Sequence, residues 1–282
     1  MNHLLIFGLG YSAQRIARAA RGAGWSVIAT RRHADANSIA FDDEADVRRA
    51  IARSSHILSS VPPDGARDPV LDRYGPELAA FRGWIGYLSS TGVYGDTGGA
   101  WVDESAALAG RRGGRIDADR AWGALPAARV FRLPGIYGPG RSVFDRLAEG
   151  RAHRIALPDQ IFSRIHVDDI AGAVIAATAH GPPGIYNIAD DRPAPQNDVV
   201  TYAAGLIGIA PPPLRTLAEA DLSPAAAAFY AENRRVANGR AKRLLGWRPR
   251  FADYRAGLRD LSASTSPIST SAPPAMLSSD QT

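Results

Sequence analysis

Residues 4–13 of the 282-residue chain read LLIFGLGYSA, a short apolar run that leads directly into a glycine-rich turn. Small and apolar residues at helical spacing follow, so the stretch predicts a buried strand, a tight turn and a helix. Gly8 permits the turn, Gly10 lets the backbone approach a phosphate, and Ala13 lets the helix lie close to the sheet. Because such a helix N-terminus binds pyrophosphate, the pattern predicts a dinucleotide-binding unit. The alternative is an ordinary strand-turn-helix.

The end of the second predicted strand, residues 25–30, indicates which dinucleotide binds. A site that prefers NAD places Asp or Glu there to accept the ribose 2′-hydroxyl. This chain instead has Arg31 and Arg32, and the next carboxylate is Asp35. Two guanidinium groups can bind a 2′-phosphate in bidentate fashion. We therefore predict that NADP(H) is preferred over NAD(H), the alternative being that both arginines only reflect a general arginine excess.

Composition limits the class of protein. A hydrophobic content of 45% and a charged content of 22% are typical of a globular protein, and the length suits one large α/β domain with an appended lobe. The absence of cysteine excludes disulfides, thiolate metal ligands and a cysteine nucleophile, and no metal site is predicted. Neither a signal-peptide pattern nor an apolar run of about 18 residues occurs, so we expect a cytoplasmic protein without a membrane partner.

The net charge of +5 does not indicate a nucleic-acid partner. The basic residues are spread along the chain, without a basic block or interleaved aromatic residues. Lys242 is the only lysine among the 33 lysines and arginines, which indicates a compositional bias. We expect a small-molecule substrate and no nucleic acid.

Strand and helix patterns alternate over the first 130 residues and become less regular after residue 133. Such alternation predicts right-handed crossovers and a doubly wound parallel sheet, the Rossmann arrangement, with ligands at the carboxyl ends of the strands. Strands are predicted at 4–7, 25–30, 38–41, 56–61, 84–89, 128–132, 154–157 and 185–188, and helices at 44–52, 69–82, 115–124, 141–150 and 196–207, with a strand from 162 that leads into a helix through 179.

The same pattern divides the chain into two units and a tail. We predict a Rossmann-type NAD(P)-binding domain from residues 1–132 and 160–190. Residues 133–159 and 191–261 then form a smaller, C-terminal substrate-binding lobe. Residues 262–282 are rich in Ser, Thr, Pro and Ala, which predicts a disordered tail.

Five further motifs occur in order along the chain and together resemble one superfamily. They are 89–96 (SSTGVYGD), 132–140 (RLPGIYGPG), 165–171 (IHVDDIA), 186–189 (YNIA) and 244–249 (LLGWRP). These resemble elements of the extended short-chain dehydrogenases/reductases, the NAD(P)-dependent epimerase/dehydratase superfamily. The resemblance implies an oxidoreductase, epimerase or dehydratase acting on a hydroxyl or carbonyl compound, such as a nucleotide sugar. It also implies a homodimer through the helices over 67–82 and 111–124.

The resemblance implies particular site residues as well. Ser90 falls at the catalytic Ser/Thr position, where the hydroxyl binds the reacting oxygen; the alternative is a hydroxyl that only satisfies the end of a strand. Arg31 is expected beside the adenosine ribose and Asp42 near the adenine. The full set of implied cofactor contacts is Gly8, Gly10, Tyr11, Ala13, Arg31, Arg32, Asp42, Ser59, Ser60, Val61, Pro134, Gly135 and Ile136.

The chain departs from the superfamily at its usual Tyr-x-x-x-Lys pair, in which lysine lowers the pKa of the tyrosine. One register puts Arg111 in the tyrosine position and Arg115 in the lysine position, with Asp119 at the acidic position that follows. A shift by four residues puts Arg115 and Asp119 in those two positions instead. Arg115 can keep the ribose contact and the positive charge, but the pKa of arginine stays above about 12, which makes it a poor proton shuttle.

Other groups are candidates for the missing acid and base. Tyr94 and Tyr137 belong to motifs in which tyrosine normally packs structurally, yet either can replace the catalytic tyrosine. His166 titrates near neutral pH, but its place at a strand end suits a brace for the following helix.

Two acidic and two basic residues need separate interpretations. Asp168 and Asp169 have the pattern of an N-cap and a first-turn acid. Arg234 and Arg235 suit either an anionic substrate group or a solvated basic face.

Two functions remain open from the sequence. The first is an NADP(H)-dependent enzyme in which Ser90 binds the reacting oxygen and Arg115 orients the ribose. The second is a non-catalytic NADP(H)-binding sensor or interaction protein, which the missing pair supports.

Overall fold

The computed structural model describes residues 2–35, 38–222 and 224–264. The strands are β1 (His3–Phe7), β2 (Ser26–Arg31), β3 (Ser38–Ala40), β4 (His56–Ser59), β5 (Trp84–Ser90), β6 (Trp101–Val102), β7 (Ala128–Leu133), β8 (Gly135–Tyr137), β9 (Arg154–Ile155), β10 (Arg164–His166), β11 (Gly184–Asn187), β12 (Leu214–Arg215) and β13 (Arg235–Val236). The helices are α1 (Tyr11–Gly22), α2 (Glu44–Arg53), α3 (Pro69–Ala80), α4 (Gly113–Gly123), α5 (Val143–Ala148), α6 (Val167–His180), α7 (Gln196–Leu206), α8 (Pro224–Tyr230), α9 (Gly239–Leu245) and α10 (Tyr254–Ser264).

Seven parallel strands form the central sheet, in the order β3-β2-β1-β4-β5-β7-β11. This confirms the predicted doubly wound Rossmann sheet. The strand order reverses between β1 and β4, because β2 and β3 extend the sheet on one side and the later strands extend it on the other. A crevice at the carboxyl ends of such a pair is where ligands bind in open α/β sheets.

Alternating side chains of β1 show how the sheet is covered on both faces. Leu4 and Ile6 belong to a buried cluster with α1, α6 and α9, whereas Leu5 and Phe7 pack with α2, α3 and α4. Successive side chains of a strand point to opposite faces, so a run of four apolar residues requires helices on both sides. The sequence of β1 therefore predicts a fully buried strand, as observed.

Residues beyond the sheet form a smaller unit built from α5, α7 and α10. Its core contains Val143, Val200, Ala203, Tyr254 and Leu258. By contrast α9, which was predicted in the C-terminal lobe, packs on the sheet domain, since its buried residues contact α6. Helix α9 therefore packs with the sheet domain, although its residues fall within the bounds predicted for the lobe.

The predicted tail begins inside a helix. Residues 262–264 continue α10, and 265–282 lie outside the described residues. Within the described ranges no helix has the length and apolar character needed to cross a bilayer. The same ranges hold no group of three or more His, Asp or Glu side chains arranged for a metal ion.

Candidate active site at the carboxyl edge of the sheet

The turn after β1 requires glycine at its first position. Gly8 has φ of +79°, and a Cβ there would lie 2.9 Å from Val61 Cγ2 and 3.3 Å from Ser60 Oγ. The Gly8 N–H donates to Thr30 Oγ1 at 3.1 Å, and the Ser60 hydroxyl donates to the Gly8 carbonyl at 2.7 Å. The ends of β1, β2 and β4 are therefore joined around this turn.

The first turn of α1 faces open space. Gly10 is its N-cap and supplies no side-chain cap, and a Cβ at Gly10 would meet no atom within 4 Å. Ala13 is buried against the sheet, whereas the Tyr11 hydroxyl donates to the Pro139 carbonyl at 3.1 Å. Uncapped N–H groups beside open space fit a phosphate, as the glycine pattern predicts.

The end of β2 is basic. Arg31 and Arg32 are exposed, and Arg31 Nε lies 3.4 Å from Asp35 Oδ2. Asp42, expected near the adenine, forms an ion pair with Arg73. Asp35 and Asp42 are therefore both paired with arginine in this structure.

A cavity of about 200 Å³ lies at the carboxyl ends of β5 and β7. Four predicted site residues, Ser90, Arg115, Pro134 and Gly135, meet there. The complete lining is Ser90, Thr91, Gly92, Arg111, Arg112, Arg115, Pro134, Gly135, Ile161, Phe162, Ser163, Ala228, Phe229, Glu232, Arg234 and Val236. Since β5 is the second strand from β1, the cavity lies roughly 10 Å from the glycine turn along the sheet edge.

Ser90 is positioned by the short 3₁₀ turn that follows it, Thr91–Tyr94. It is the N-cap of this turn, and its Oγ accepts a hydrogen bond from the Gly92 N–H at 3.1 Å. A hydroxyl that accepts one bond retains its own proton for another acceptor. Ser90 therefore satisfies the strand end and can still donate to a ligand oxygen in the cavity.

Glu232 binds two of the four arginines in the cavity. Arg111 Nε donates to Glu232 Oε1 at 2.8 Å, and Arg234 Nη1 donates to Oε2 at 2.6 Å. Burial by itself would raise the pKa of Glu232, but the hydrogen bonds from Arg111 and Arg234 outweigh it and lower the pKa. Glu232 is therefore an anion at neutral pH and not a proton donor.

The arginine pair 234–235 is not a solvated basic face. Only 16% of the Arg234 side chain is exposed, and its guanidinium also donates to the Gly95 carbonyl at 2.7 Å. Arg235 donates to the carbonyl of Gly99. The backbone of the segment pairs with β6, so Arg234 is held at the cavity wall.

Glycines on both sides of Arg111 and Arg112 allow this segment to lie over the cavity. A Cβ at Gly110 would collide with the Gly92 carbonyl, and a Cβ at Gly114 would collide with the Gly65 carbonyl. The Gly110 N–H donates to the Val93 carbonyl at 2.9 Å. Only glycine, which has no Cβ, allows the backbone at Gly110 and Gly114 to lie this close to the neighbouring carbonyl groups.

Tyr94 does not line the cavity. Its hydroxyl donates to Asn187 Oδ1 at 2.8 Å and accepts from Arg132 Nη1 at 2.9 Å. Burial raises the pKa of Tyr94, with Arg132 opposing the shift. These contacts give Tyr94 a structural role between β5, β7 and β11.

Tyr137 is also absent from the cavity lining. Its hydroxyl is buried without a hydrogen-bond partner among the described residues and packs against Gly257 of α10. Burial raises the pKa of Tyr137. The structure therefore brings neither predicted tyrosine to Ser90.

His166, and not Asp168 or Asp169, is the N-cap of α6. Its Nδ1 accepts from the Asp168 N–H at 3.2 Å, which corrects the predicted cap. The Asp169 carboxylate instead accepts from the backbone N–H groups of Arg250 and Phe251, at 2.6 and 3.1 Å. Asp169, which has the sequence pattern of a helix cap, therefore joins α6 to the segment before α10.

The remaining predicted positions lie outside the cavity. Ser59 is buried, and its hydroxyl has no partner among the described residues. Ile136 packs at the edge of the sheet core. Lys242 lies in α9 with Nζ 2.5 Å from Asp191 Oδ1, so the only lysine does not reach Ser90.

Several cavity residues were not predicted. Arg112, Glu232 and the ring pair Phe162 and Phe229 line it, and the two rings stack with centroids 4.3 Å apart at 8°. Arg112 was the one with a local signal, because it adjoins Arg111. Phe162, Phe229 and Glu232 lie more than 40 residues after Arg115 in the chain, so their placement at the cavity depends on tertiary packing.

Comparison with known proteins gives two relatives of clear sequence identity. A conserved protein of unknown function from Silicibacter pomeroyi is 43% identical, with a TM-score of 0.84, and the match covers 93% of this chain and 99% of that one. The 3-diazoavenalumate denitrifying reductase of a Streptomyces species is 34% identical over 143 residues. That match covers 47% of this chain and 46% of the reductase, about half of each.

The fold is shared more widely. The human epimerase family protein SDR39U1, solved with NADPH, has a TM-score of 0.75 at 17% identity, over 93% of this chain and 100% of that one. No family model matches the chain. The chain belongs to one family with the Silicibacter pomeroyi protein, and its fold is the one found in NAD-dependent epimerases and dehydratases.

Proposed function

We propose that this chain is an NADP(H)-dependent oxidoreductase that acts on a small molecule. The observation that carries the proposal is the meeting of Ser90, Arg115 and Pro134 at one cavity on the carboxyl edge of the sheet, the edge at which the glycine turn also lies. A hydroxyl donor and a cation at the edge that holds a dinucleotide site are what binding and orienting a reactive oxygen requires.

The residues present fit the cofactor. Gly8 and Gly10 leave room for a diphosphate at the N-terminus of α1, which is uncapped. Arg31 and Arg32 supply the guanidinium groups for a 2′-phosphate, with Ser60 and Val61 bordering the turn. Pro134, Gly135 and Ile136 lie on the side where the nicotinamide is expected, with Arg115 toward its ribose.

The nicotinamide, when bound, supplies or accepts a hydride. Ser90 would hold the reacting oxygen by donating its proton, and Arg115 would stabilise negative charge. Among the described residues that line the cavity, the only carboxyl group is Glu232, which is ionised, and there is no tyrosine, histidine or lysine. The site therefore suits a substrate whose reduction needs no proton from a side chain, or takes it from water.

The name of the Streptomyces relative supports a reductase over an epimerase. That protein is named as a reductase of a diazo compound. When a hydride replaces the nitrogen of such a compound, the C–H bond forms as the C–N bond breaks and N2 leaves, so no general acid is needed, which agrees with the lining of this cavity. We therefore propose the direction of reduction.

The test begins with binding. Calorimetry on the full chain should show NADPH bound more tightly than NADH, and Gly10→Asp should abolish the binding by placing a carboxylate where the diphosphate lies. Gly22→Asp is the control, because Gly22 lies at the other end of α1 and also has open space around its Cβ position.

Turnover is measured next, as NADPH oxidation with carbonyl, diazo and nucleotide-sugar compounds. Ser90→Ala should abolish it without loss of NADPH affinity. Tight binding of NADPH with no turnover on any compound would favour the non-catalytic sensor. No binding of either dinucleotide would end the proposal.

A further inference from the structure

We infer that Arg112 and Arg115 form a carboxylate-binding site for the substrate. The inference rests on the proposed function and specifies its substrate: a carboxylate on a small apolar body.

The charges of the cavity leave two cations without a counterion. Four arginines line it, and Glu232 is the one carboxylate among its described residues. Both oxygens of Glu232 already accept from Arg111 and Arg234. Neither Arg112 nor Arg115 has a hydrogen-bonding or ion-pairing side-chain partner among the described residues. Cations clustered in a cavity repel one another, so an anionic ligand is favoured there.

Arg112 and Arg115 lie close together in the chain at the start of α4. Arg112 is the N-cap of this helix, with an extended backbone, and the Arg115 N–H donates to the Arg112 carbonyl at 3.0 Å. Because both residues line the cavity, both guanidinium groups can reach one ligand group there. The planar fork of arginine matches a carboxylate in bidentate fashion. The close packing of Gly110 and Gly114 holds this segment in place.

Another part of the cavity lining is apolar. Phe162 and Phe229 stack there beside Ile161 and Val236. Phe229 is 48% exposed, so part of its ring is free to contact a ligand. Cationic and apolar lining residues together fit a molecule with an anionic end and an apolar body.

The cavity has room for a small anion. Its volume of about 200 Å³ suits a carboxylate on a small apolar body. Gly135 and Phe229 also line a neighbouring cavity of about 380 Å³, so the experiment includes a nucleotide sugar as the competing ligand.

The experiment compares a matched acid and amide on the full chain saturated with NADPH. Calorimetry with 3-phenylpropanoate and 3-phenylpropanamide should show the acid bound at least about tenfold more tightly, since hydrogen bonds to charged groups contribute about 1.5–3 kcal/mol. Arg112→Gln and Arg115→Gln should each weaken the acid about tenfold and leave the amide unchanged. Arg120→Gln is the control, because Arg120 is exposed on α4 outside the cavity.

Equal affinity for acid and amide would overturn the inference, as would acid binding unaffected by Arg112→Gln and Arg115→Gln. Binding of UDP-glucose without binding of the acid at millimolar concentration would overturn it too, in favour of a nucleotide sugar. The acid and amide are also measured without NADPH. If NADPH itself does not bind, the proposed function fails, and this second measurement still decides the carboxylate site. The comparison of acid with amide uses the natural chain, so it does not depend on whether a variant folds.

Discussion

Arg132 and Asp119 form an ion pair in the interior, with Arg132 Nη2 2.6 Å from Asp119 Oδ1 and only 4% and 1% of the two side chains exposed. Arg132 Nε also donates to Asp119 Oδ2, which accepts from the Ser89 hydroxyl at 2.6 Å. Through Tyr94 the same guanidinium reaches Asn187. The pair therefore joins α4 to the ends of β5, β7 and β11.

Asp119→Asn should destabilise the protein by about 3–5 kcal/mol, because it leaves the Arg132 charge buried without a counterion. Urea denaturation at pH 7 measures the loss. The control is Asp260→Asn, which removes an exposed pair with Arg250 and should cost less than about 1 kcal/mol. Similar losses of unfolding free energy for both variants would show that the buried Arg132 does not need Asp119 as its counterion.

Gly8→Ala should cost more stability than Gly140→Ala. Both glycines have positive φ, +79° and +72°, and a left-handed conformation costs an L-residue about 1–2 kcal/mol. Only at Gly8 would the new Cβ also press on Val61, so the difference between the variants in urea denaturation measures that contact. NADPH affinity should fall with Gly8→Ala alone. Equal destabilisation would contradict the close packing of the turn.

Arg31→Ala should weaken NADPH binding by roughly 10- to 100-fold, the loss of a charged hydrogen bond, and leave NADH binding almost unchanged. Fluorescence titration with each dinucleotide gives the two affinities. Arg18→Ala, an exposed arginine on the outer side of α1, serves as the control. A parallel loss of NADH affinity would mean that Arg31 does not contact a 2′-phosphate.

Acid should destabilise the protein partly through His166. Burial lowers the pKa of this imidazole, so the folded state binds its proton less readily than the unfolded chain. Its contribution to stability is therefore complete above about pH 6.5, the unfolded value, and is lost as the pH falls toward the folded pKa.

The measurement is the unfolding free energy of the natural chain and of His166→Asn between pH 5 and 8. Asparagine can still cap α6 but does not titrate in this range. The difference in unfolding free energy between the two proteins should therefore narrow as the pH falls. His33→Asn, at an exposed position, should follow the natural chain. A difference in unfolding free energy that does not change with pH would exclude His166 as the titrating group.

The parts of the fold that were predicted correctly depend on local sequence. The run before Gly8 is apolar at four consecutive positions, which only a strand covered on both faces explains, and Gly8 itself marks the turn. Counting from Asp119 in a known motif predicts Arg115 in one of the two catalytic positions, with Arg111 or Asp119 in the other. The meeting of Arg111 and Arg115 with Ser90 follows from the strand ends, which lie at one edge of the sheet.

The other half of the cavity was not predictable in this way. Glu232 and Phe229 reach it from a segment over 100 residues downstream of Ser90, and no periodic pattern marks them. The sequence left two interpretations of Arg234 open because its burial depends on contacts with Glu232 and Gly95. The cap at α6 was misassigned because histidine rarely caps a helix, while two aspartates follow it.

The lining of the cavity has two origins. Ser90 and Pro134 follow strands that are joined by the buried Arg132 pair, whereas Ala228, Phe229 and Glu232 come from a distant segment that bonds to Arg111, Arg234 and Gln160. Changes in the distant segment can alter what the cavity accepts while the strands keep their positions. Divergence among relatives toward new compounds would thus concentrate in residues 228–232, and exchanging that segment between homologues is a direct route to altered selectivity.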